Sequence, residues 1–120
     1  MLTDPQTITV NAVAKAMPKV LTDGQHAVYQ MADLSFTLDI RHTSRKQNGK
    51  ARVKSLATFT QRSVVTDPLT SVNDFETLVV STQIDRPEAG FTSTQVQQLV
   101  AGFQAWLTGS MADKLYGRES

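Results

Sequence analysis

Leu34-Ser35-Phe36-Thr37-Leu38-Asp39-Ile40-Arg41-His42, running on through Gln47-Asn48-Gly49-Lys50 to Thr58-Phe59-Thr60, is the stretch on which the fold turns. Leu34, Phe36, Leu38 and Ile40 alternate with Ser35, Thr37, Asp39 and Arg41. Period two predicts a strand with one apolar and one polar face, because successive side chains point to opposite sides. Asn48-Gly49 tolerates the positive φ angles of a type I′ turn and is the strongest short-range hairpin signal. Beyond it, Val53, Ala57 and Phe59 alternate with Lys54, Thr58 and Thr60. A two-residue turn sets Gln47 opposite Lys50 and thereby fixes every pair behind it. Leu38 then meets Phe59 and Ile40 meets Ala57 on one face, while Asp39/Thr58, Arg41/Leu56, Thr43/Lys54 and Arg45/Arg52 share the other. Two hydrophobic patterns read separately fall on the same side, which a register slip of one residue would destroy.

Working outward, the N-terminal third is a string of short β-like pieces. Thr7-Ile8-Thr9-Val10 is rich in β-branched residues, and Lys19-Val20-Leu21-Thr22 follows Pro18. Ala14 to Met17 reads either as a connection within a hairpin or as the start of its second strand. Asp23-Gly24 marks a turn before the candidate strand Ala27–Met31. On the other side, Thr66-Asp67-Pro68-Leu69-Thr70-Ser71 is a turn or loop, since Pro68 lacks the amide a central strand uses. Phe75 to Ile84 is the next strand, with Leu78, Val80 and Ile84 on one parity and Thr77, Val79, Ser81 and Gln83 on the other.

The period then lengthens. Thr92 with Gln95 has capping-box spacing, and Val96, Leu99, Val100, Phe103, Trp106 and Leu107 recur at helical intervals. Gly109 is expected to end this helix, and Ser110 to Asp113 weakly repeats the cap pattern ahead of Met111, Leu115 and Tyr116. The expected class is α+β: an N-terminal β-hairpin, an antiparallel sheet and two C-terminal helices. A helix of about 16 residues is roughly 24 Å long, too short to cover a sheet of long strands. A dimer whose helices cross onto the partner's sheet would cover it and also remove exposed edges.

Charge is unevenly spread. Across 120 residues, 12 Lys and Arg face 11 Asp and Glu, a net +1. Yet Arg41, Arg45, Lys46, Lys50, Arg52, Lys54 and Arg62 lie between Asp39 and Asp67 without an acid among them, whereas Asp67, Asp74, Glu76, Asp85 and Glu88 are opposed by Arg86 alone. Either a basic strand pair faces a polyanion, or basic and acidic strands neutralise each other. The opposed Arg45 and Arg52 pose a further choice: an anion between them, or splaying of a flexible hairpin tip without RNA.

The absence of cysteine excludes disulfides, thiol catalysis and thiolate metal sites. His26 and His42 specify no metal site; His26 reads as turn surface, and His42 as a structural group near a strand end. Serines and acids form no local nucleophile or paired-acid pattern, so no catalytic residue, metal or cofactor is assigned. No run approaches the roughly 18–20 apolar residues that span a bilayer, and Met1-Leu2-Thr3-Asp4-Pro5 does not read as a secretion signal.

The run from Leu34 to Thr60, followed in order by the strand from Phe75 to Asp85 and the helix from Thr92 to Leu107, resembles the coat proteins of single-stranded RNA bacteriophages of the levivirus type. With the N-terminal hairpin and the overall length, the likeness spans nearly the whole chain. It implies one coat-protein domain over 1–120: a hairpin at about 7–22, a sheet at about 26–85, and helices at about 92–107 and 110–116. It further implies interlocked dimers with a ten-stranded sheet, assembled into an icosahedral shell commonly of about 180 copies. The open sheet face lines the interior and binds genomic RNA, and in some members a dimer represses translation at an RNA hairpin. RNA contacts would then come from Ser35, Thr37, Arg41, Thr43, Arg52, Lys54, Thr58, Thr77, Ser81 and Gln83, with Arg41 and Lys54 foremost. Dimer packing would come from Val96, Leu99, Val100, Phe103, Trp106 and Leu107. The partners implied are the chain itself and single-stranded viral RNA, with no membrane and no small-molecule substrate; the place is the virion, after synthesis in the bacterial cytoplasm. Leu56, Val79 and Asp39 depart from a purely polar, basic RNA face and leave the RNA sequence preference open. Two other functions compete: a dimeric RNA-binding regulator that builds no shell, and a small-ligand enzyme on the open face, which needs a histidine beside an acid in a deep pocket.

Overall fold

The structure, a computed structural model, describes residue 2, residues 4–66 and residues 68–119; Asp67, counted with the acids above, lies outside them. The chain forms two compact units, Met1–Arg86 and Pro87–Ser120.

Among the described residues, the first unit holds seven strands. β1 (Gln6–Val10) and β2 (Val13–Met17) form a separate two-stranded hairpin. β3 (Lys19–Asp23), β4 (His26–Gln30), β5 (Phe36–Gln47), β6 (Lys50–Thr66) and β7 (Asn73–Pro87) form a sheet in sequence order. This corrects the expected hairpin at 7–22. Lys19–Asp23 is not its second strand but the sheet's edge, pairing with β4 through Asp23↔His26. The true turn is Asn11-Ala12, with φ of 51° and 63°. Alanine seldom takes that conformation, so no glycine advertised the turn.

The central hairpin folds in the expected register, from Gln47↔Lys50 through Thr43↔Lys54, Arg41↔Leu56 and Ile40↔Ala57 to Leu38↔Phe59 and Phe36↔Gln61. Asn48 and Gly49 make its turn with φ of 53° and 76°. The strand begins two residues later than the alternation suggested. Leu34 has φ of 65° and is half exposed, in a turn closed by its amide donating to the Met31 carbonyl at 2.9 Å.

Phe36, Leu38, Ile40, Tyr29 and Phe59 share the apolar face, and within this unit the N-terminal hairpin packs on them. Met17, Tyr29 and Phe36 are buried together, with Ile8, Val10, Ala27, Met31, Leu38, Ile40 and Phe59 partly buried around them. Phe36 and Phe59 stack at 5.7 Å, and the Lys15 ammonium of β2 sits 5.1 Å from the Phe36 ring centre. Among the described residues, Met17, Tyr29 and Phe36 are the whole buried interior. β7, the other edge, is exposed from Asn73 to Gln83, including Leu78 and Val80, 64% and 58% exposed.

The second unit holds α1 (Ser93–Trp106) and α2 (Gly109–Tyr116). The capping box forms as its spacing requires: Thr92 Oγ1 accepts from the Gln95 amide at 3.2 Å, and Gln95 Oε1 accepts from the Thr92 amide at 3.0 Å. Gly109 opens α2 rather than closing α1, and the second cap is Thr108, not Ser110. Thr92→Ala deletes one half of the reciprocal cap and is expected to weaken α1 by about 1 kcal/mol, read as an earlier loss of helical circular dichroism on heating. Among the described residues, no helix is long and apolar enough to cross a membrane.

Candidate nucleic-acid interface

Alternation away from the apolar face defines a second surface on β4–β7. It carries His26 and Gln30; Thr37, Asp39, Arg41, Thr43 and Arg45; and Arg52, Lys54, Leu56, Thr58 and Arg62. Side-chain contacts attach β7 to the same surface. Thr66 Oγ1 donates to Asn73 Oδ1 at 2.6 Å, the Arg62 guanidinium lies 4.1 Å from the centre of the Phe75 ring, and Arg52 Nε donates to Asp85 Oδ1 at 3.1 Å. β6 and β7 therefore run antiparallel, and the positions between Phe75 and Asp85 at period two, namely Thr77, Val79, Ser81 and Gln83, fall on this surface too.

Nine of the ten expected RNA-facing residues are thus brought onto one surface. Ser35 is the exception. It precedes the strand, and both its hydroxyl and its amide donate to Asp33 Oδ1, at 2.7 and 3.1 Å. Those bonds, the hydroxyl's first, hold the Asp33 carboxyl below its ordinary range. The Ser35 hydroxyl is spent on the turn that Leu34's positive φ creates.

Among the remaining nine, the cations differ in how free they are. Arg41 is 58% exposed, and its Nε lies 3.4 Å from Asp39 Oδ1. Asp39 has a shorter bond at 2.9 Å from His26 Nε2. His26 is therefore the first residue of a strand and a partner of Asp39, not the turn surface expected of it. The side chain of half-buried Lys54 makes no hydrogen bond or ion pair among the described residues and is an unpaired charge. Thr37 Oγ1 accepts from Gln30 Nε2 at 3.2 Å. His42, on the opposite face, shares a 2.9 Å hydrogen bond with Ser55 Oγ.

The hairpin tip resolves the Arg45/Arg52 question in favour of an anion, supplied by the neighbouring acidic strand. The two are directly opposed, and the anion between them is the chain's own Asp85. Its Oδ2 accepts from Arg45 Nη2, its Oδ1 from Arg52 Nε, and its backbone carbonyl from Arg52 Nη2 at 3.3 Å. Partial burial works to raise the Asp85 carboxyl. The hydrogen bonds from Arg52 and Arg45, reinforced by their charges, outweigh it and hold the group below the ordinary carboxylate range. Asp85 lies on the next strand, 33 residues from Arg52, so only the sheet's closure brings it there. The acidic strand does neutralise the basic hairpin, but at the tip and not across the face.

A depressed carboxyl stabilises the tip fully above its unfolded value, near pH 4, and that contribution is lost only as pH falls through the lower folded value. Amide-exchange protection at the tip is therefore expected to stay level from about pH 7 to about pH 5. Asp85→Asn should accelerate exchange over residues 44–53 severalfold and leave Phe36–Ile40 unchanged. Equal exchange in both proteins would show that Asp85 does not hold the tip.

Asn48, Lys50, Arg52 and Asp85 line an open recess of about 400 Å³ beside this cluster. Neither histidine is in it, and among the described residues no group of His, Asp or Glu is arranged to hold a metal. The enzyme reading thus finds its histidine beside an acid, but on an open sheet surface.

The expected packing stripe of α1 lies largely in solvent in the single chain: Leu99 is 78% exposed, Phe103 56%, Trp106 49% and Leu107 39%, with Val96 and Val100 half-buried. Phe103 and Trp106 stack at 5.8 Å.

The same fold occurs in solved virus-like particles. A chain of the virus-like particle of Beihai levi-like virus 21 superposes with a TM-score of 0.73 at 14% identity, covering 98% of this chain and 95% of that one. Virus-like particles of bacteriophage AVE019 (TM-score 0.72, 14% identity, 89% and 87% covered) and of Wenzhou levi-like virus 1 (0.61, 14%, 95% and 96%) share the fold as well. No curated protein sequence matches the chain. The class is that of the single-stranded RNA phage coat proteins. Within it, the chain belongs to the family of the phage phiCb5 coat protein, which matches residues 3–83.

Proposed function

We propose that the chain is the shell-forming subunit of an RNA phage, acting as an interlocked dimer that encloses genomic RNA. The observation that carries this reading is the apolar surface left in water by so small an interior. Leu99, Phe103 and Trp106 on α1, and Leu78 and Val80 on β7, are all about half exposed or more. Exposed apolar area of this kind marks an association surface, and a long unblunted edge strand invites pairing. Both are satisfied if two five-stranded sheets join edge to edge through β7 and each α1 lays its stripe across the partner's sheet. The two units of the chain then act as one coat-protein domain, completed by the second copy.

The polar face becomes one continuous surface on such a dimer. Arg41 and Lys54 supply phosphate contacts, and Thr37, Thr43, Thr58, Thr77, Ser81 and Gln83 supply hydrogen bonds to sugar, phosphate or base edges. Arg52 contributes through whatever donors Asp85 leaves it. With a net charge of only +1, attraction to RNA is local to this face. Repression of translation through an RNA hairpin would use the same surface.

Electron microscopy of the purified protein, with extraction of any enclosed nucleic acid, tests the reading. Uniform closed shells containing RNA are expected. Dimers that bind RNA and never close would instead identify a regulator, and monomers at every concentration would end the proposal.

A further inference from the structure

On the polar face, at the end opposite the Asp85 cluster, Arg62 and Phe75 form a second kind of feature. β6 continues past β5 here; Arg62 donates its amide to the Ser35 carbonyl at 2.7 Å, beyond the last β5–β6 pair, Phe36↔Gln61. Gln61 lies on the apolar side with Phe36, so Arg62 projects to the polar side, and Phe75 with it. The guanidinium carbon stands 4.1 Å from the ring centre. That is well inside the roughly 6 Å range of a cation–π contact.

Phe75 is out of place by any packing argument. It is 55% exposed on a surface built mostly of polar and charged residues, where Val28, Leu56 and Val79 are the aliphatic exceptions and Phe75 the one phenyl ring among the described residues. The other described rings of this unit, Tyr29, Phe36 and Phe59, cluster on the apolar side. No acid pairs with Arg62 among the described residues, in contrast to Arg41, Arg45 and Arg52. Asp74 and Glu76 flank Phe75 in sequence, but strand alternation turns them to the opposite face.

We infer that Arg62 and Phe75 form a stacking site for one unpaired base of single-stranded RNA, an inference that rests on the polar face being the RNA face. The ring holds the planar guanidinium flat on one side. The guanidinium's other side is a weakly hydrated, cationic plane on which a base stacks, while its edge donors remain available to the adjoining phosphate. Lys54 offers charge without a plane, so the two sites read different things: Lys54 the backbone, Arg62–Phe75 the presence of a base. Stacking tolerates any base, which suits a subunit meeting many segments of one genome.

The test compares binding of the full chain to a short uridine oligoribonucleotide and to an abasic oligoribonucleotide of equal length and charge. The wild type is expected to favour the base-bearing strand by about tenfold. Arg62→Lys, which keeps the charge and loses the plane, and Phe75→Leu, which keeps apolar bulk and loses the ring, should each erase that preference, so that the two strands bind alike. A preference surviving in both variants overturns the inference. Equal wild-type binding of the two strands also overturns it, yet leaves the polar face as the RNA face; binding of neither strand overturns both readings.

Discussion

With the proposed dimer as its starting point, Leu99→Asp is expected to leave the chain monomeric. Leu99 is the most exposed member of the α1 stripe, at 78%, so in one isolated chain a carboxylate there stays in water and disturbs nothing. In a two-fold dimer the same position is buried twice. Losing two leucine burials costs roughly 6 kcal/mol at about 3 kcal/mol each. That is about four orders of magnitude in the dissociation constant, before any penalty for burying charge. Gln98→Asp is the control, because Gln98 points away from the stripe on the same helix. Sedimentation should give monomers for Leu99→Asp and wild-type assembly for Gln98→Asp. Dimers persisting in Leu99→Asp would remove α1 from the interface.

The double change Arg41→Ala and Lys54→Ala should weaken RNA binding without touching assembly. Both side chains lie on the surface opposite Phe36, Leu38 and Phe59, and neither helps bury the interior. Asp39 keeps its bond from His26 when Arg41 goes, so the row stays paired. Each phosphate contact contributes about 0.7 to the salt slope for single strands. Losing two per chain should flatten the slope by about 1.4 per chain and lower affinity by roughly one to two orders of magnitude at low salt. Titrations across a salt series with the variant dimer give both quantities. An unchanged slope would mean that RNA is held elsewhere.

The parts of this molecule legible in its sequence are those governed by neighbours along the chain. Alternation from Phe36 to Ile40 and from Val53 to Phe59, joined by Asn48-Gly49, fixed the register because a two-residue turn leaves no freedom behind it. The Thr92–Gln95 box is equally local. What the sequence conceals depends on backbone angles that residue type disfavours, or on strands meeting from afar. Asn11-Ala12 turns without a glycine, and the positive φ at Leu34 breaks an alternation that looked perfect on paper, taking Ser35 off the face. Asp85 belonged to an acidic strand, and nothing in its own surroundings pointed to two arginines on the preceding hairpin. The Arg62–Phe75 pair is hidden for the same reason: it spans two strands, and in the sequence Phe75 marks only the start of one.

An interior of Met17, Tyr29 and Phe36 has a kinetic consequence. If the second copy supplies the missing burial, acquiring the working structure is a bimolecular event whose rate rises with the square of chain abundance. Melting temperature then has no meaning apart from dilution. During infection such a protein would mature late and abruptly, once translation had raised its level far enough, so that particle formation keeps time by the output of the ribosomes.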